Sequence, residues 1–219
     1  MKKKCTKKIE NVDLGRRKML SITGAIVAST AIKAEGMNIE NGLAFIEDKK
    51  IPIRHTQIVP SGAISHNNFT KKCTACQKCI EACPEKVLRP SSKLTTLMIP
   101  EVSFEHGYCK PDCTRCSDVC QEGAIVPITK AEKSSIQIGH AVWIKKNCIA
   151  TADGKECDVC ARHCPAGAIT MAKAENSVFM KIPMINTVHC IGCGACENSC
   201  PAQPFCAIYV EGHLIHNSI

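Results

Sequence analysis

Aromatic side chains are scarce in this chain: its 219 residues hold one Trp, two Tyr and five Phe. So few cannot fill a core, and something else must supply cohesion. Long apolar runs are lacking too. The best of them, Met19 to Ala34, is rich in Ser, Thr, Ala and Gly and falls short of the roughly 20 apolar residues that a membrane span needs. No Ser/His/Asp set, nucleotide-binding glycine loop or carboxylate pair stands out, and the eight histidines form no liganding cluster. The formal net charge of +8 is also unevenly placed. Residues 1–34 hold nine of the 28 Lys and Arg against two of the 20 Asp and Glu, which leaves the remainder near neutral. That balance gives no basis for a nucleic-acid-binding surface.

What the chain has instead is cysteine, eighteen of them. Such a density in a secreted protein would suggest a disulfide scaffold, but the spacing argues otherwise. Sixteen fall into four groups of four, with neighbours mostly two or three residues apart. Bridging them to each other would close small, strained loops, whereas they converge easily on one inorganic centre.

The order along the chain is legible. Residues 1–34 read as an export signal: a basic head, then Leu14-Gly15-Arg16-Arg17-Lys18-Met19-Leu20, then the mildly apolar run. Paired arginines before a weakly hydrophobic segment resemble the twin-arginine signal, which exports folded proteins. Residues 35–68, polar and punctuated by Gly36, Gly42, Pro52, Pro60 and Gly62, read as a linker that wraps the core. Residues 69–219 repeat themselves, with 25, 27 and 25 residues between consecutive groups. Each repeat reads as a strand, a Cys-rich loop, a short helix starting near the last cysteine, and a small apolar strand. The strands that follow the groups are expected at Val87-Leu88, Gly123-Ala124-Ile125, Gly167-Ala168-Ile169 and Ala207 to Val210. The fold class is α+β: two ferredoxin-like units built from four strand-loop-helix-strand repeats around a small core.

Group one is Cys73, Cys76, Cys79 and Cys83, followed by Pro84; group four is Cys190, Cys193, Cys196 and Cys200, followed by Pro201. Both match the Cys-x2-Cys-x2-Cys-x3-Cys-Pro run of bacterial ferredoxins that bind [4Fe-4S] clusters. Three cysteines on a tight loop reach three corners of a cubane, and small residues such as Ala75, Gly192 and Gly194 let the backbone come close. The fourth ligates the other cluster of a pair, and the proline after it suits the first turn of a helix. Group two is Cys109, Cys113, Cys116 and Cys120, with Gln121 in the proline's place; group three is Cys148, Cys157, Cys160 and Cys164, with an eight-residue first gap and Pro165. These two keep the Cys-x2-Cys-x3-Cys half. Four [4Fe-4S] clusters on sixteen cysteines are expected, and a missing or [3Fe-4S] cluster would fall at group three, where Cys148 is least securely placed. A zinc ribbon needs two separated Cys-x2-Cys knuckles, which groups one and four do not supply. Cys5 lies in the leader, and Cys206 reads as a small buried residue. His163 and His189 precede cluster cysteines and could tune a potential, though exposed or capping roles are commoner. Lys71, Lys72, Lys78, Lys86 and Arg89 form a basic collar around group one, whose usual state is solvated.

With these motifs and the leader, the chain resembles the exported ferredoxin-type iron-sulfur proteins of the NapG/MauM kind, from the leader and from Phe69 to the C-terminus. The resemblance implies a carrier outside the cytoplasm, peripheral to the membrane. It would pass single electrons from a quinol-oxidising membrane protein towards a terminal reductase, in the NapG case periplasmic nitrate reductase. A subunit of a larger oxidoreductase complex and a metal-stabilised structural or assembly protein are the competing readings. In related iron-sulfur subunits of molybdenum oxidoreductases the motifs pair in a nested way, first with fourth and second with third. By that resemblance Cys83 would join Cys190, Cys193 and Cys196, and Cys200 would join group one. Likewise Cys164 would join Cys109, Cys113 and Cys116, and Cys120 would join Cys148, Cys157 and Cys160. Tandem pairing, first with second and third with fourth, stays open because the linkers are of nearly equal length.

Overall fold

The cysteine motifs keep the helices short. A residue that precedes proline is pushed out of the α region, and Cys83, Cys164 and Cys200 precede Pro84, Pro165 and Pro201. The computed structural model describes residues 49–174 and 180–219; the expected export segment, residues 35–48 of the linker and Phe179 lie outside the described residues. Helix α1 (His66–Lys72) opens behind Ser65, whose side chain accepts from the Asn68 N–H, and ends where Cys73 turns extended. One-turn helices follow: α2 (Lys78–Glu81) and α3 (Arg115–Asp118). After α4 (Lys130–Ser135) and α5 (Ile149–Ala152) come two more of the same kind, α6 (Val159–Arg162) and α7 (Ala195–Ser199). α2, α3, α6 and α7 carry the third cysteine of their group and close before the fourth, which corrects the expectation that the helix starts at the last cysteine. For α2, α6 and α7 the pre-proline restriction is the reason, Cys200 being already extended at φ −61° and ψ 123°, whereas α3 closes in the same place with Gln121 after Cys120.

Among the described residues the strands form three antiparallel ribbons. β1 (Leu88–Pro90) pairs with β2 (Pro100–Val102), Leu88 opposite Val102. β3 (Ile136–Trp143) crosses the sequence to pair with β6 (Ile208–Ser218), Trp143 opposite Ile208, with a register shift between Gln137 and Gly139. β4 (Ile169–Lys173) pairs with β5 (Lys181–Ile185). Groups three and four thus sit inside a nested pair of ribbons, β4 and β5 between them and β3 and β6 outside. Around groups one and two the outer ribbon does not form. Ala124 and Ile125 are buried as expected of a strand, but the facing segment turns at Gly62, with the Ala63 N–H donating to the Pro60 carbonyl. A segment that turns, and whose proline has no N–H, cannot extend a ladder. The Val126 N–H reaches the Gly62 carbonyl, and that of Ile125 goes to a cysteine sulfur.

The core has two characters. One cluster packs Ile58, Val59, Phe69, Val87, Phe104, Ile125, Ile138 and Val210, each large side chain contributing about 1.5–3 kcal/mol by burial. The second is built of Ala141, Ala150, Ala168, Ala202 and Ala207 with Ile169 and Ile208, interleaved with cysteines. Residues 57–63 of the linker reach into the first cluster, where the Ile58 carbonyl accepts from the Val102 N–H. All described residues fall in one compact unit. No described helix is long and apolar enough to cross a membrane.

Candidate metal centres

The loop of group one carries Ala75 and Gln77 at φ 55° and 63°, and the loop of group four carries Gly192 and Gly194 at φ 72° and 78°. The two loops share one left-handed path, on which group four uses glycine. A Cβ on Gly194 would lie 2.1 Å from Phe104 Cδ1, and one on Gly192 would lie 2.6 Å from the Gly139 backbone. Close approach as well as φ therefore requires glycine there.

These loops, with the one-turn helices, place the thiols around hollows. One hollow of about 330 Å³, open to solvent, is lined by Cys73, Cys76, Cys79 and Cys120. A second, about 410 Å³, is lined by Cys83, Cys109, Cys113 and Cys116, and a third, about 360 Å³, by Cys148, Cys157, Cys160 and Cys200, both likewise open to solvent. In each, one group supplies three sulfurs and a neighbouring group the fourth. The remaining four act on one another: the charges of Cys190, Cys193 and Cys164 raise the Cys196 thiol, after burial, which is the larger cause. The sulfurs ring a space and do not meet at a point; among the described residues no three Cys, His, Asp or Glu side chains are placed to hold a single metal ion. A mononuclear zinc site, with Zn–S near 2.3 Å, needs such convergence, and a cubane does not.

This arrangement is tandem, contrary to the nested expectation. Cys83 stands with Cys109 and not with Cys190, and Cys120 acts on Cys73 and Cys79. Cys200 stands with Cys148 and Cys160, and Cys164 with Cys190 and Cys193. The physical reason is local. After a fourth cysteine the chain makes a short antiparallel ribbon, β1 with β2 or β4 with β5, and returns into the next motif, so sequence neighbours become spatial neighbours.

Three of the four fourth cysteines also share a backbone contact. Cys120 Sγ accepts from the Ile125 N–H at 3.3 Å, Cys164 Sγ from Ala168 at 3.3 Å and Cys200 Sγ from Ala207 at 3.4 Å, the last displaced along the chain by the insertion Ala202 to Phe205. Such bonds stabilise charge on sulfur. Burial opposes it, holding Cys79 at about 11 and Cys116, Cys160 and Cys193 at about 12. Buried thiols this weakly acidic stay protonated until metal displaces the proton.

One residue near the centres escaped the sequence reading. Lys133, 4% exposed, points its ammonium at Cys109 Sγ, 3.1 Å away. Burial lowers its pKa, and the charges of Cys109, Cys116 and Cys113 more than offset that, so the net shift is upward. The capping box Thr129-x-x-Glu132 that starts α4 is readable in sequence, but it does not tell which side chain turns inward. Arg54, in the presumed linker, pairs with Glu197 beside Cys196 and donates to the Val210 carbonyl at 2.9 Å. The two histidines stay in local roles: His163 Nδ1 bonds the Val159 carbonyl and His189 Nδ1 bonds Asn186, both rings at exposed positions. Arg89 leaves the collar to pair with Glu101 and Glu105, whereas Lys71, Lys72 and Lys86 are exposed. Cys206 is buried, and its carbonyl accepts from Asn147 Nδ2.

Comparison with known proteins agrees with this chemistry. A 4Fe-4S dicluster domain matches residues 155–203, from before Cys157 to beyond Cys200. The ferredoxin-type protein NapF of Escherichia coli (strain K12) is 32% identical over 154 residues, 70% of this chain and 84% of that protein. The chain belongs to the NapG/MauM kind of ferredoxin-type proteins. MauM of Methylophilus methylotrophus, a methylamine utilization ferredoxin-type protein, is 30% identical over 68% of this chain and 69% of its own length. NapG of Escherichia coli (strain K12) is 34% identical over 64% of each chain, so the match spans just under two thirds of that relative. As a NapG/MauM-type ferredoxin the chain is an iron-sulfur electron carrier and not an enzyme.

Proposed function

We propose that this chain relays single electrons through four [4Fe-4S] clusters, built as two ferredoxin-like units of two Cys-rich repeats each. One cluster would be held by Cys73, Cys76, Cys79 and Cys120, the next by Cys109, Cys113, Cys116 and Cys83. A third would be held by Cys190, Cys193, Cys196 and Cys164, the fourth by Cys148, Cys157, Cys160 and Cys200. Such clusters supply one-electron redox centres with no substrate chemistry of their own. The observation that carries the reading is the three-plus-one ring of thiols in each hollow.

Contacts between sets give the relay an order. Cys79 acts on Cys116, linking the first two sets. Cys109 acts on Cys193, and its N–H donates to the Cys193 carbonyl at 2.9 Å, linking the second to the set of group four. Exchange of Cys164 and Cys200 links that set to the last. The sequence order one, two, three, four thus becomes the spatial order one, two, four, three. The ends are the places for partners: Cys76 is exposed at one end, while all four cysteines of group four are buried inside.

By its leader the protein is exported folded and works outside the cytoplasm, at the membrane surface. By analogy with its NapG relatives it takes electrons from a quinol-oxidising membrane protein and delivers them to a terminal reductase. Iron and sulfide analysis after anaerobic purification tests the cluster reading: roughly sixteen irons per chain are expected for four [4Fe-4S] centres, and stoichiometric zinc overturns it. Cell fractionation tests the location. Holoprotein outside the cytoplasm, retained inside by Arg16→Lys with Arg17→Lys, is expected, and a wild type confined to the cytoplasm refutes export.

A further inference from the structure

Among the described residues, Lys133 is the one charged side chain that is buried against a set of candidate iron ligands and paired with no carboxylate. Its side chain lines the hollow of Cys83, Cys109, Cys113 and Cys116, which Glu85 and Lys110, paired with each other, and the exposed Arg115 also line, and Nζ stands 3.1 Å from Cys109 Sγ. Among the described residues its ammonium pairs with no carboxylate. Burying an ammonium without an acid is expensive, so the site must hold negative charge when the protein is assembled. The helix that carries it is fixed at its start, where Thr129 and Glu132 cap each other reciprocally. Of the cysteines whose thiols are shifted, Cys109 and Cys116 are those with a cation acting on them, and both times it is Lys133. At the neighbouring set the charge that acts on Cys196 is Glu197, which opposes negative charge there and is itself paired with Arg54.

Resting on the four-cluster reading above, we propose that Lys133 raises the reduction potential of the centre held by Cys83, Cys109, Cys113 and Cys116, making it the step where an electron is held within the relay. The step moves one electron from the donor, or from dithionite in a titration, onto that centre. No bond forms or breaks, and Lys133 keeps its proton. A fixed positive charge on a side chain buried against the ligand sulfurs favours the state with one more negative charge, because little solvent lies between the two. A donor hydrogen bond to a ligand sulfur acts in the same direction.

The test is a redox titration of the full chain, purified anaerobically and followed by electron paramagnetic resonance, in the wild type and in Lys133→Gln, Lys133→Met and Lys133→Arg. Gln and Met are expected to make one centre harder to reduce by at least tenfold in its one-electron equilibrium, about 59 mV. The other three centres should not move. Arg should keep the wild-type midpoint, since it keeps the charge. The shifted signal should be the one lost in Cys113→Ser. Full iron with all midpoints unchanged in both neutral variants overturns the proposal, as does an Arg variant that shifts as far as Gln. If both neutral variants lose the iron of one centre, Lys133 is a support for assembly and the proposal fails. A wild type short of iron is a different result: it overturns the four-cluster reading and not the effect of Lys133 on its neighbour.

Discussion

The backbone N–H of Cys109 donates to the carbonyl of Cys193 at 2.9 Å, so the first loops of groups two and four touch directly. The two cysteine-rich halves thus meet at the ligand loops themselves as well as through the core, where the Phe104 ring lies against Gly194 and the Phe104 carbonyl accepts from Asn198 Nδ2 at 2.8 Å. The result is a line of four thiol sets whose middle two are in contact.

Tandem sharing makes a sharp prediction for single cysteines. Cys83→Ser and Cys109→Ser should remove or convert the same centre, each lowering iron by up to about four per chain. The double variant should be no worse than either single one, since both act on one unit. Cys83→Ser with Cys190→Ser should instead damage two centres. Iron content and the set of paramagnetic signals decide it. A double variant of Cys83 and Cys109 that loses two signals sinks the tandem arrangement.

The grouping of the cysteines is legible in the sequence, and which group supplies the fourth thiol to which hollow is not. Spacing alone brings Cys73, Cys76 and Cys79 onto one loop, because two-residue gaps leave the chain no other path. Whether Cys83 meets Cys109 or Cys190 depends on where 25 residues of ribbon return the chain, and no local pattern encodes that. The strand at Ala124-Ile125 failed for a similar reason: its periodicity is apolar, but the partner segment turns at Gly62. Lys133 was invisible because the sequence around it, Lys130 to Ser135, has the polarity of a solvated helix. Gly192 and Gly194 are expected from the sequence to bring backbone close to a cluster, and the structure shows a different neighbour at each, the Gly139 backbone and the Phe104 ring.

Gly194 should be intolerant of even a methyl group. Alanine there meets the Phe104 ring at 2.1 Å and must hold φ near 78°, combining overpacking of about 1–3 kcal/mol with a left-handed penalty of about 1–2 kcal/mol. Gly123→Ala, also at positive φ but with nothing within 4 Å of its Cβ, should show the backbone penalty alone. Denaturant midpoints of the two iron-loaded variants are the comparison. Equal losses would mean that the Phe104 contact carries no weight.

Asn147 is 0% exposed and ties three strands of chain together. Its Oδ1 accepts from the Lys50 N–H at 2.9 Å, and Nδ2 donates to the carbonyls of Lys50, at 2.7 Å, and Cys206, at 3.0 Å. Asn147→Ala leaves the buried Cys206 carbonyl and the part-buried Lys50 N–H and carbonyl without these partners, and should lower stability by about 1–3 kcal/mol. Asn147→Asp should be worse, because it trades the donors for a buried carboxylate facing two carbonyls. Urea unfolding of the holoprotein measures both. An aspartate variant as stable as the wild type would show that water reaches this site.

His216 should give the fold an acid-sensitive edge. Its imidazole is pulled down to about 4, first by burial and then by the charge of His213, which itself bonds His140 ring to ring at 2.9 Å. The unfolded chain, with its histidine near 6.5, takes up the proton first. The stability that neutral His216 contributes is therefore complete above about pH 6.5 and is lost as pH falls towards 4, with a slope of at most about 1.4 kcal/mol per pH unit. His213 is shifted in the same direction, by burial and then by His140, so replacing His216 alone should reduce the slope without abolishing it. Urea midpoints of wild type and His216→Leu at pH 7.5 and pH 5.5 are the measurement. The wild type should fall further than the variant over that interval, and equal falls would mean that His216 titrates as it does in the unfolded chain.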